Sequence, residues 1–379
     1  MRRVLLAAAA AILVSTSIGF AQHAPAAGRY KVLKRANVGG EGGWDYIYAD
    51  VADRRLFIPR GASPAIPAAA GRAAAPAAGN RIMVYDLDTL APVGEIPDTG
   101  GQGVAVCPSG NAFASSHPQL SMFNPKTLKL IKRIDVPEGF RSDGIYCDPS
   151  DDRTYVYSHP TKNALVINGA DGTVVGTIDL GGTPEESVAD GKGTLYVVMQ
   201  QESNIAVVDE KAMKTVKHYD FAAKGGRCNG LALDPKNGVL FVACAADSMT
   251  PAEGRPSQPT MIVMSAKDGK ILKTFPLPGG SDGAHFNPAT MEAFATLGNG
   301  HLAIVKETSP TTFEMEQDLE TMNGARTIAL DTKTGHVFTM AQKYEAEPAR
   351  PSAAPAGAER RYRRPPAVPG SFTILMIGK

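Results

Sequence analysis

Short apolar runs separated by turn residues recur along most of the chain. The segments "SDGIYCDPS" (142–150), "CNGLALDPK" (228–236) and "SDGAHFNPA" (281–289) share a polar start, an alternating apolar run and a turn with Asp or Asn before Pro. Such alternation between turn residues is typical of β-strands. Seven units of this kind begin at Trp44, Gln102, Ser142, Glu185, Cys228, Ser281 and Ala325.

Most units continue with three further strand-like runs, as "RTYVYSH", "ALVINGADG" and "VVGTID" do in the third unit. The centres of the third strands are 38, 44, 41, 56 and 40 residues apart, at Tyr85, Phe123, Ile167, Val208, Met264 and Ile304. A period of about 40 to 50 residues is typical of propeller blades. The sequence therefore predicts an all-β fold, a seven-bladed β-propeller of four-stranded antiparallel blades.

The two ends of the chain supply the strands of the last blade. The seventh unit stops after its third strand, "FTILMIGK", and residues 29–38, "RYKVLKRANV", form an orphan strand before the first unit. Pairing these two strands would close the ring and remove an open sheet edge. We therefore predict one propeller domain over residues 29–379.

Three long insertions fall between second and third strands, which places them on one face of the ring. They cover residues 61–78, 245–258 and 343–370, and the first and last are rich in Ala and Pro. Such composition predicts mobile or extended loops, which would form a lid over the channel mouth. The alternative is that surface loops lengthen wherever nothing selects against them.

The repeated units, with patterns such as "GLALDPKNGVLFVA" at 230–243, resemble the YVTN-type repeats of YncE-like seven-bladed β-propellers. Proteins of that family are exported by bacteria and archaea. The resemblance covers nearly the whole chain after residue 21 and implies the fold. It leaves the function open, because propellers host binding modules, scaffolds and enzymes alike.

The N-terminus and the overall charge limit where and how the protein acts. Residues 1–21 combine Arg2 and Arg3 with an apolar run from Val4 to Val14 and small residues before Ala21, which is typical of a cleaved signal peptide. We expect a periplasmic or secreted, soluble protein, with an uncleaved anchor as the alternative. With 39 Lys and Arg against 38 Asp and Glu, no global field would attract nucleic acid or an acidic membrane surface.

Polar residues stand at the start of every inner strand, where they would ring one mouth of the central channel. They are Asp45, Gln102, Asp143, Glu186, Asn229, Asp282 and Arg326, with Trp44 beside the first. The sequence offers no nucleophile with a paired base and no phosphate loop. We therefore expect a monomeric binding or scaffold module that recognises a protein, a peptide or a small molecule at this mouth.

A metal-dependent enzyme is the competing prediction. Gluconolactonase-like six-bladed propellers hold a divalent cation with similarly placed oxygen ligands and hydrolyse lactones. In this sequence that similarity would assign calcium or magnesium to Asp45, Glu186, Asn229 and Asp282, with His285 or His117 as proton carrier. The flanking motifs of that family are absent, and seven blades open a wider mouth.

Histidine, tryptophan and arginine residues leave further alternatives. His117 in "SSHP" and His159 in "YSHP" hold the same repeat position and would bind metal, carry protons or cap a turn. His285 belongs to an inner strand and is expected in the core or the channel wall.

Trp44 would stack on a ligand or fill the space between the first and last blades. "ERRYRRPP" (359–366) suits single-stranded nucleic acid, although a solvated basic loop is favoured.

Four cysteines complete the candidate chemistry. Folding the fifth hairpin about Lys236 places Leu233 opposite Val239 and Cys228 opposite Cys244, so this pair is predicted to form a cross-strand disulfide. Cys107 and Cys147 share a repeat position in adjacent units and either bridge two blades or remain small buried thiols. Redox exchange and covalent haem attachment lack their C-x-x-C patterns.

Overall fold

The computed structural model describes residues 30–68, 74–246, 258–345 and 367–379, and it confirms the predicted fold. All named strands of the described residues belong to seven four-stranded antiparallel sheets. The inner strands of successive sheets contact one another around a circle, and the last contacts the first. The molecule is therefore a closed seven-bladed β-propeller. Among the described residues, none forms a helix long and apolar enough to cross a membrane.

The strands follow one another in simple order within each blade. The N-terminal strand β1 covers Lys31–Asn37, and blades 1 and 2 comprise β2 (Tyr48–Asp50), β3 (Arg55–Arg60), β4 (Arg81–Asp86), β5 (Pro92–Pro97), β6 (Gly103–Val106), β7 (Ala112–Ser115), β8 (Gln119–Asn124) and β9 (Lys129–Asp135). Blades 3 and 4 comprise β10 (Ser142–Asp148), β11 (Arg153–Ser158), β12 (Asn163–Asn168), β13 (Val174–Asp179), β14 (Pro184–Ala189), β15 (Thr194–Met199), β16 (Asn204–Asp209) and β17 (Lys214–Asp220). Blades 5 to 7 comprise β18 (Arg227–Asp234), β19 (Val239–Ala245), β20 (Thr260–Ser265), β21 (Ile271–Pro276), β22 (Ser281–Asn287), β23 (Glu292–Leu297), β24 (His301–Ser309), β25 (Thr312–Glu320), β26 (Arg326–Asp331), β27 (His336–Ala341) and β28 (Thr373–Gly378).

Burial within a blade follows the order of the strands. The middle strands are apolar on both faces because each blade packs between two others, as in "NIAVVD" of β16, whose four central residues are all buried. The outer strand of the same blade, "KTVKHYD", buries only Tyr219 completely. Lysines on this outer strand discourage pairing with another sheet edge.

The two chain ends meet in blade 7, as predicted. Strand β1 pairs antiparallel with β28, with Lys31 opposite Gly378 and Asn37 opposite Thr373, and the sheet order is β1, β28, β27, β26. The backbone N–H of Val38 extends the pairing by donating to the carbonyl of Phe372 at 2.9 Å. The N-terminal strand therefore closes the ring.

The Asp or Asn that precedes Pro in several units forms a turn at the far end of the inner strand. The Asp148 carboxylate accepts the Ser150 N–H at 2.8 Å, and the Asp234 carboxylate accepts the Lys236 N–H at 2.9 Å. This Asx turn folds the inner strand back onto the second strand. The motif "DPS" or "DPK" thus encodes a tight hairpin at the end of the strand opposite to the polar mouth.

The register predicted for the fifth hairpin is wrong by one residue over most of its length. Leu233 lies opposite Leu240 rather than Val239. A β-bulge between Cys228 and Gly230 inserts one extra residue and restores the predicted pairing of Cys228 with Cys244. Simple alternation cannot anticipate such a bulge, because it assumes a constant period of two.

Both pairs of cysteines form disulfides. Cys228 and Cys244 are joined within blade 5, with S–S 2.05 Å. Cys107 and Cys147 are joined with S–S 2.00 Å, so the bridging alternative describes this pair and the free-thiol alternative is wrong. The second disulfide fastens blade 2 to blade 3.

The insertions are only partly described. In the first insertion, Ser63 pairs with Ala78 and Ile66 with Ala75 in antiparallel bridges, so the described part of 61–78 contains a short antiparallel pairing. Residues 247–257 and 346–366, together with the signal peptide predicted over 1–21 and the basic segment 359–366, lie outside the described residues.

Candidate binding site at the channel mouth

The inner strands enclose a central channel with a cavity of about 350 Å³. Its wall is largely apolar and aromatic, and all seven blades contribute to it. The aromatic part includes Tyr46, Tyr48, Tyr146 and Phe286. Apolar channels of this size accommodate small ligands or single side chains.

Most inner strands carry a β-bulge at the mouth of the channel. Five of the seven inner strands break register within their first residues, in β10, β14, β18, β22 and β26. In β14 the break leaves Glu185 and Glu186 together opposite Val198. A bulge turns side chains that strict alternation would send into the blade, and it thereby directs polar groups at the channel.

Eight polar side chains form a continuous chain of polar contacts around the mouth, which we call the polar belt. Its members, in order from blade 2 to blade 7, are Gln102, Asp143, His159, Glu185, Gln200, Asn229, Asp282 and Arg326. All predicted mouth residues of blades 2, 3, 5, 6 and 7 belong to it. In blade 4 the belt residues are Glu185 and Gln200 instead of the predicted Glu186.

His159 lies at the centre of the first half of the belt. Its Nε2 is 3.0 Å from Oδ2 of Asp143 and 3.3 Å from Oε1 of Glu185. The Nε2–H bond is not aligned with either oxygen, so these contacts are ion pairs rather than well-formed hydrogen bonds. Gln102 completes this half by donating Nε2–H to Oδ1 of Asp143 at 3.0 Å.

The second half of the belt continues through amides to an arginine. Gln200 donates Nε2–H both to Glu185 and to Oδ1 of Asn229, the latter at 3.2 Å. Asn229 donates Nδ2–H to Oδ1 of Asp282 at 2.9 Å. Arg326 approaches the other oxygen of Asp282 at 3.3 Å. The belt thus links blades 2 to 7 in series, because contacts between neighbouring blades are connected by the contacts Asp143–His159 within blade 3 and Glu185–Gln200 within blade 4.

Blade 1 joins the belt through its backbone and through Tyr46. Arg326 donates Nη2–H to the carbonyl of Trp44, and Tyr46 bridges to Gly103 of blade 2. Across the channel, the Tyr46 hydroxyl donates to Oε2 of Glu185 at 2.5 Å. Asp45 lies half-buried beside these groups, and its pKa is raised by burial and by the neighbouring Asp282.

Glu186 lies in the channel wall rather than in the belt. Its Oε2 accepts the backbone N–H groups of Leu231 at 2.7 Å and of Ala284 at 3.0 Å. Burial raises the pKa of Glu186 to about 8, although these two hydrogen bonds partly oppose the shift. The side chain therefore gains or loses a proton close to neutral pH.

His159 carries a proton at neutral pH. Burial lowers the pKa of its imidazole, but the carboxylates of Asp143 and Glu185 outweigh this effect and raise the pKa to about 10. The imidazolium thereby neutralises part of the negative charge that these two carboxylates concentrate at the mouth.

The same three residues could hold a metal ion. The ligand atoms of Asp143, His159 and Glu185 all lie within 4.8 Å of one another. Gln102, Gln200 and Tyr46 hydrogen-bond the two carboxylates, as outer partners do at metal sites. For the predicted set of Asp45, Glu186, Asn229 and Asp282, by contrast, Asn229 presents its amide nitrogen to Asp282, and Glu186 uses one oxygen for backbone amides.

The remaining candidate residues separate according to burial. Trp44 is only 2% exposed and packs edge-on against Phe372, with ring centroids 5.0 Å apart, so it fills the space between the first and last blades. His117 is exposed outside the belt. His285 lines the channel, and burial lowers its pKa to about 4, so the ring is neutral.

Sequence reasoning missed Glu185, Gln200 and Tyr46. A signal for Gln200 was present, because "YVVMQ" aligns with "YVYSH" and places Gln200 at the repeat position of His159. Glu185 is next to the predicted Glu186, and Tyr46 is next to the predicted Asp45. The sequence therefore indicated the correct segments but the wrong residue in each.

Comparison with known proteins supports the fold alone. Neither a protein-family model nor a curated protein matches the chain. The solved structures titled "Crystal structure of RRP9 WD40 repeats" (TM-score 0.66, 10% identity, 94% of this chain and 99% of that one) and "Structure of U3-55K" (0.64, 9%, 93% and 99%) are similar over nearly the whole chain. A chain of "Crystal Structure of Mitotic Checkpoint Complex" is similar with TM-score 0.64 and 9% identity, covering 90% and 96% of the two chains. The chain shares the seven-bladed, WD40-like propeller architecture with these structures.

Proposed function

We propose that the protein is a binding module that takes a ligand with a cationic head group at the polar belt and an apolar body in the channel. One observation carries this proposal: buried carboxyl groups cluster where the belt meets the apolar cavity. Burial raises the pKa of Asp45, Glu185 and Glu186, so these groups lie where their ionised forms are poorly stabilised. A positively charged group placed beside them would favour the ionised carboxylates and gain an ion pair, while the aromatic wall would receive its apolar part.

The ligand class follows from the dimensions and chemistry of the site. A cavity of about 350 Å³ suits an amine-bearing small molecule or a lysine side chain of a peptide rather than a folded domain. Tyr46 and Tyr146 line the cavity, and tyrosine rings attract cations. A neighbouring protein that inserts one basic side chain would satisfy the same chemistry, so a peptide or protein partner belongs to this proposal.

We also propose that the protein acts outside the cytoplasm as a member of the YncE-like propellers. The signal-peptide pattern of residues 1–21 and the repeat pattern motivate this assignment. The two disulfides support it, because disulfides persist mainly in oxidising compartments. Fractionation of the native host with an antibody against the protein tests it, and a cytoplasmic pool of full-length, unprocessed chain would contradict it.

Calorimetric titration with phenylalkylamines and with phenylalkyl carboxylates of equal length tests the ligand class. We expect the amines to bind and the carboxylates to fail. Val188→Phe, which fills the channel wall, should abolish amine binding. Val93→Phe on an outer strand, where Val93 is 44% exposed, is the matched control and should bind normally. Equal binding of both ligand series, or amine binding that survives in Val188→Phe, would contradict the proposal.

A metal-dependent hydrolase is the second candidate, and the grouping of Asp143, His159 and Glu185 favours it. A bound metal would replace the proton on Nε2 of His159 and activate a water at the mouth. Metal analysis of the purified protein before and after EDTA, with His159→Gln as the comparison, decides this point. A stoichiometric metal that EDTA removes from the wild type and that His159→Gln lacks would favour the hydrolase over the binding module.

A further inference from the structure

A group of three carboxyl groups lies between blades 3 and 4, at the end of the inner strands opposite to the polar belt. It consists of Asp148 at the end of β10, Asp151 in the following turn, and Glu210 directly after β16. One ligand atom of each lies within 4.8 Å of the others. Asp148 is completely buried, Glu210 is 3% exposed, and Asp151 opens the group to solvent.

The hydrogen bonds of this group leave one buried oxygen without a partner. Oε1 of Glu210 accepts the Tyr155 hydroxyl at 3.2 Å, whereas Oε2 is buried and has no hydrogen-bond partner among the described residues. Asp148 faces Glu210 but accepts its own hydrogen bonds from Ser150, at 2.8 and 2.9 Å. Two buried acceptors that face each other require a proton or a cation between them.

An equivalent junction between two other blades solves this problem with a protein group. At the junction of blades 7 and 1, the buried Asp331 is paired with Arg54, whose Nη2 is 2.6 Å from Oδ2. Arg54 precedes the second strand of its blade, and Gly193, which has no side chain, holds that position in blade 4. The carbonyls of Arg54 and Gly193 accept matching backbone bonds from Leu87 and Glu210, which confirms the equivalence.

The junction of blades 5 and 6 offers a second comparison. There Asp234 faces Glu307, and Asn237 donates its amide to Oε1 of Glu307 at 2.7 Å. Within the described part of the chain, Oε2 of Glu307 is buried without a partner, as Oε2 of Glu210 is, so the two junctions differ in the third residue of the group. Asn237 stands three residues after Asp234, as Asp151 stands three residues after Asp148. Where the junction of blades 5 and 6 has the amide of Asn237, the junction of blades 3 and 4 has the carboxylate of Asp151. An ionised carboxylate cannot donate a hydrogen bond.

Arg153 supplies the only positive charge among the described contacts of this group. Its Nε lies 3.5 Å from Asp151, and its Nη1 donates to the backbone carbonyl of Glu210 at 2.7 Å. Neither contact reaches the buried Oε2 of Glu210. Three carboxyl groups therefore face one guanidinium that is directed at their rim.

We propose that Asp148, Asp151 and Glu210 form a binding site for one calcium ion, which joins blade 3 to blade 4 as Arg54 joins blade 7 to blade 1. Hard divalent cations prefer carboxylate oxygens, and calcium accepts the irregular geometry that a junction between two sheets imposes. Asp151 supplies the accessible ligand through which the ion enters, and water would complete the coordination. This site is separate from the polar belt and does not depend on the function proposed there.

Terbium luminescence on the EDTA-treated full chain tests the site, with calcium as the competitor. Tyr155 hydrogen-bonds Glu210, so it is placed to sensitise a terbium ion held there. We expect tyrosine-sensitised emission that calcium abolishes. Asp151→Asn, which copies the junction of blades 5 and 6 and alters an exposed residue, should weaken calcium binding by about ten-fold or more.

Glu307→Gln is the matched control, because it changes the equivalent glutamate at a junction without a third carboxylate. We expect this variant to bind calcium as the wild type does. Absence of terbium emission from the wild type would overturn the proposed site. A proton shared between Asp148 and Glu210 would then explain how the two buried carboxyl groups face each other. Calcium binding that persists unchanged in Asp151→Asn would also overturn it, because the ion would then lie elsewhere.

Discussion

Blades 2 and 3 carry the same histidine at the same repeat position, yet the two residues have different surroundings. His117 in "SSHP" is exposed, whereas His159 in "YSHP" lies between two carboxylates of the polar belt. The two carboxylates beside His159 are Asp143 of its own blade and Glu185 of the next blade. Blade 3 begins with Ser142, which hydrogen-bonds the backbone of Ser116, and blade 4 begins with the bulged pair Glu185 and Glu186.

This comparison shows how a propeller acquires a site. The repeat determines where a side chain lies on the ring, and the neighbouring inner strand determines what that side chain contacts. The bulge of β14 supplies Glu185 to the histidine of the preceding blade, whereas Asp143 at the bulge of β10 contacts the histidine of its own blade. Function in such a ring therefore resides at pairs of blades rather than in single repeats.

The disulfide between Cys107 and Cys147 should contribute the largest share of stability to this pair of blades. The cysteines are 40 residues apart. Replacing both with alanine should cost about 4 kcal/mol in the free energy of unfolding. The Cys228–Cys244 pair, with a separation of 16, is the control and should cost about 3 kcal/mol. Urea unfolding measures both, and a smaller loss for the longer loop would contradict this ranking.

Glu185→Gln should weaken the ion pairing that distinguishes His159 from His117. The change removes one of the two carboxylates that surround the His159 imidazolium. We expect a loss of about 2 kcal/mol, less than for a fully buried pair, because the His159 side chain is 33% exposed and that of Glu185 8%.

The adjacent Glu186→Gln variant is the control for that change. Its carboxyl group has a pKa of about 8, so an amide resembles its protonated form, and the expected change is within about 0.5 kcal/mol. Thermal unfolding near neutral pH compares the two variants. Equal losses of stability in the two variants would show that the contacts of Glu185 in the belt add no more stability than those of Glu186.

Stability should also depend on pH through His159. Its pKa is about 10 in the folded protein and about 6.5 in the unfolded chain, so protonation favours folding. The stabilising contribution is complete below about pH 6.5 and is lost as the pH rises through about 10. The stability difference between the wild type and His159→Gln should therefore shrink over this range. A difference that grows with pH would contradict the sign of the shift.

The smallest effect is expected for His117→Gln. His117 is exposed and lies outside the belt, so its replacement should change the free energy of unfolding by no more than about 0.5 kcal/mol. Chemical denaturation of His117→Gln beside His159→Gln measures the contrast. A larger loss at His117 would show that both repeat positions stabilise the ring.

The sequence predicted the fold because periodic strands and Asx turns leave a regular pattern. The closing strand, from Lys31 to Asn37, was identified from the missing strand of the last unit. The belt was predicted in part, since Gln102, Asp143, Asn229, Asp282 and Arg326 were found as strand-start residues.

Physical reasons explain what the sequence did not predict. Bulges change which of two adjacent residues faces the channel, so Glu185 rather than Glu186 joins the belt. Gln200 contributes from the end of a second strand, and its contact with Asn229 depends on how two blades pack. The group of Asp148, Asp151 and Glu210 combines residues 62 positions apart at most, brought together only by the ring.

Nitrogen-15 NMR of the histidine side chains tests the polar belt most directly. Between pH 6 and 9, His159 should retain a proton on both ring nitrogens, because its pKa is raised to about 10. His285 should stay neutral over the same range, because its pKa is lowered to about 4. Loss of the His159 proton near pH 6.5 would contradict the account, since the imidazole would then not lie between the carboxylates of Asp143 and Glu185.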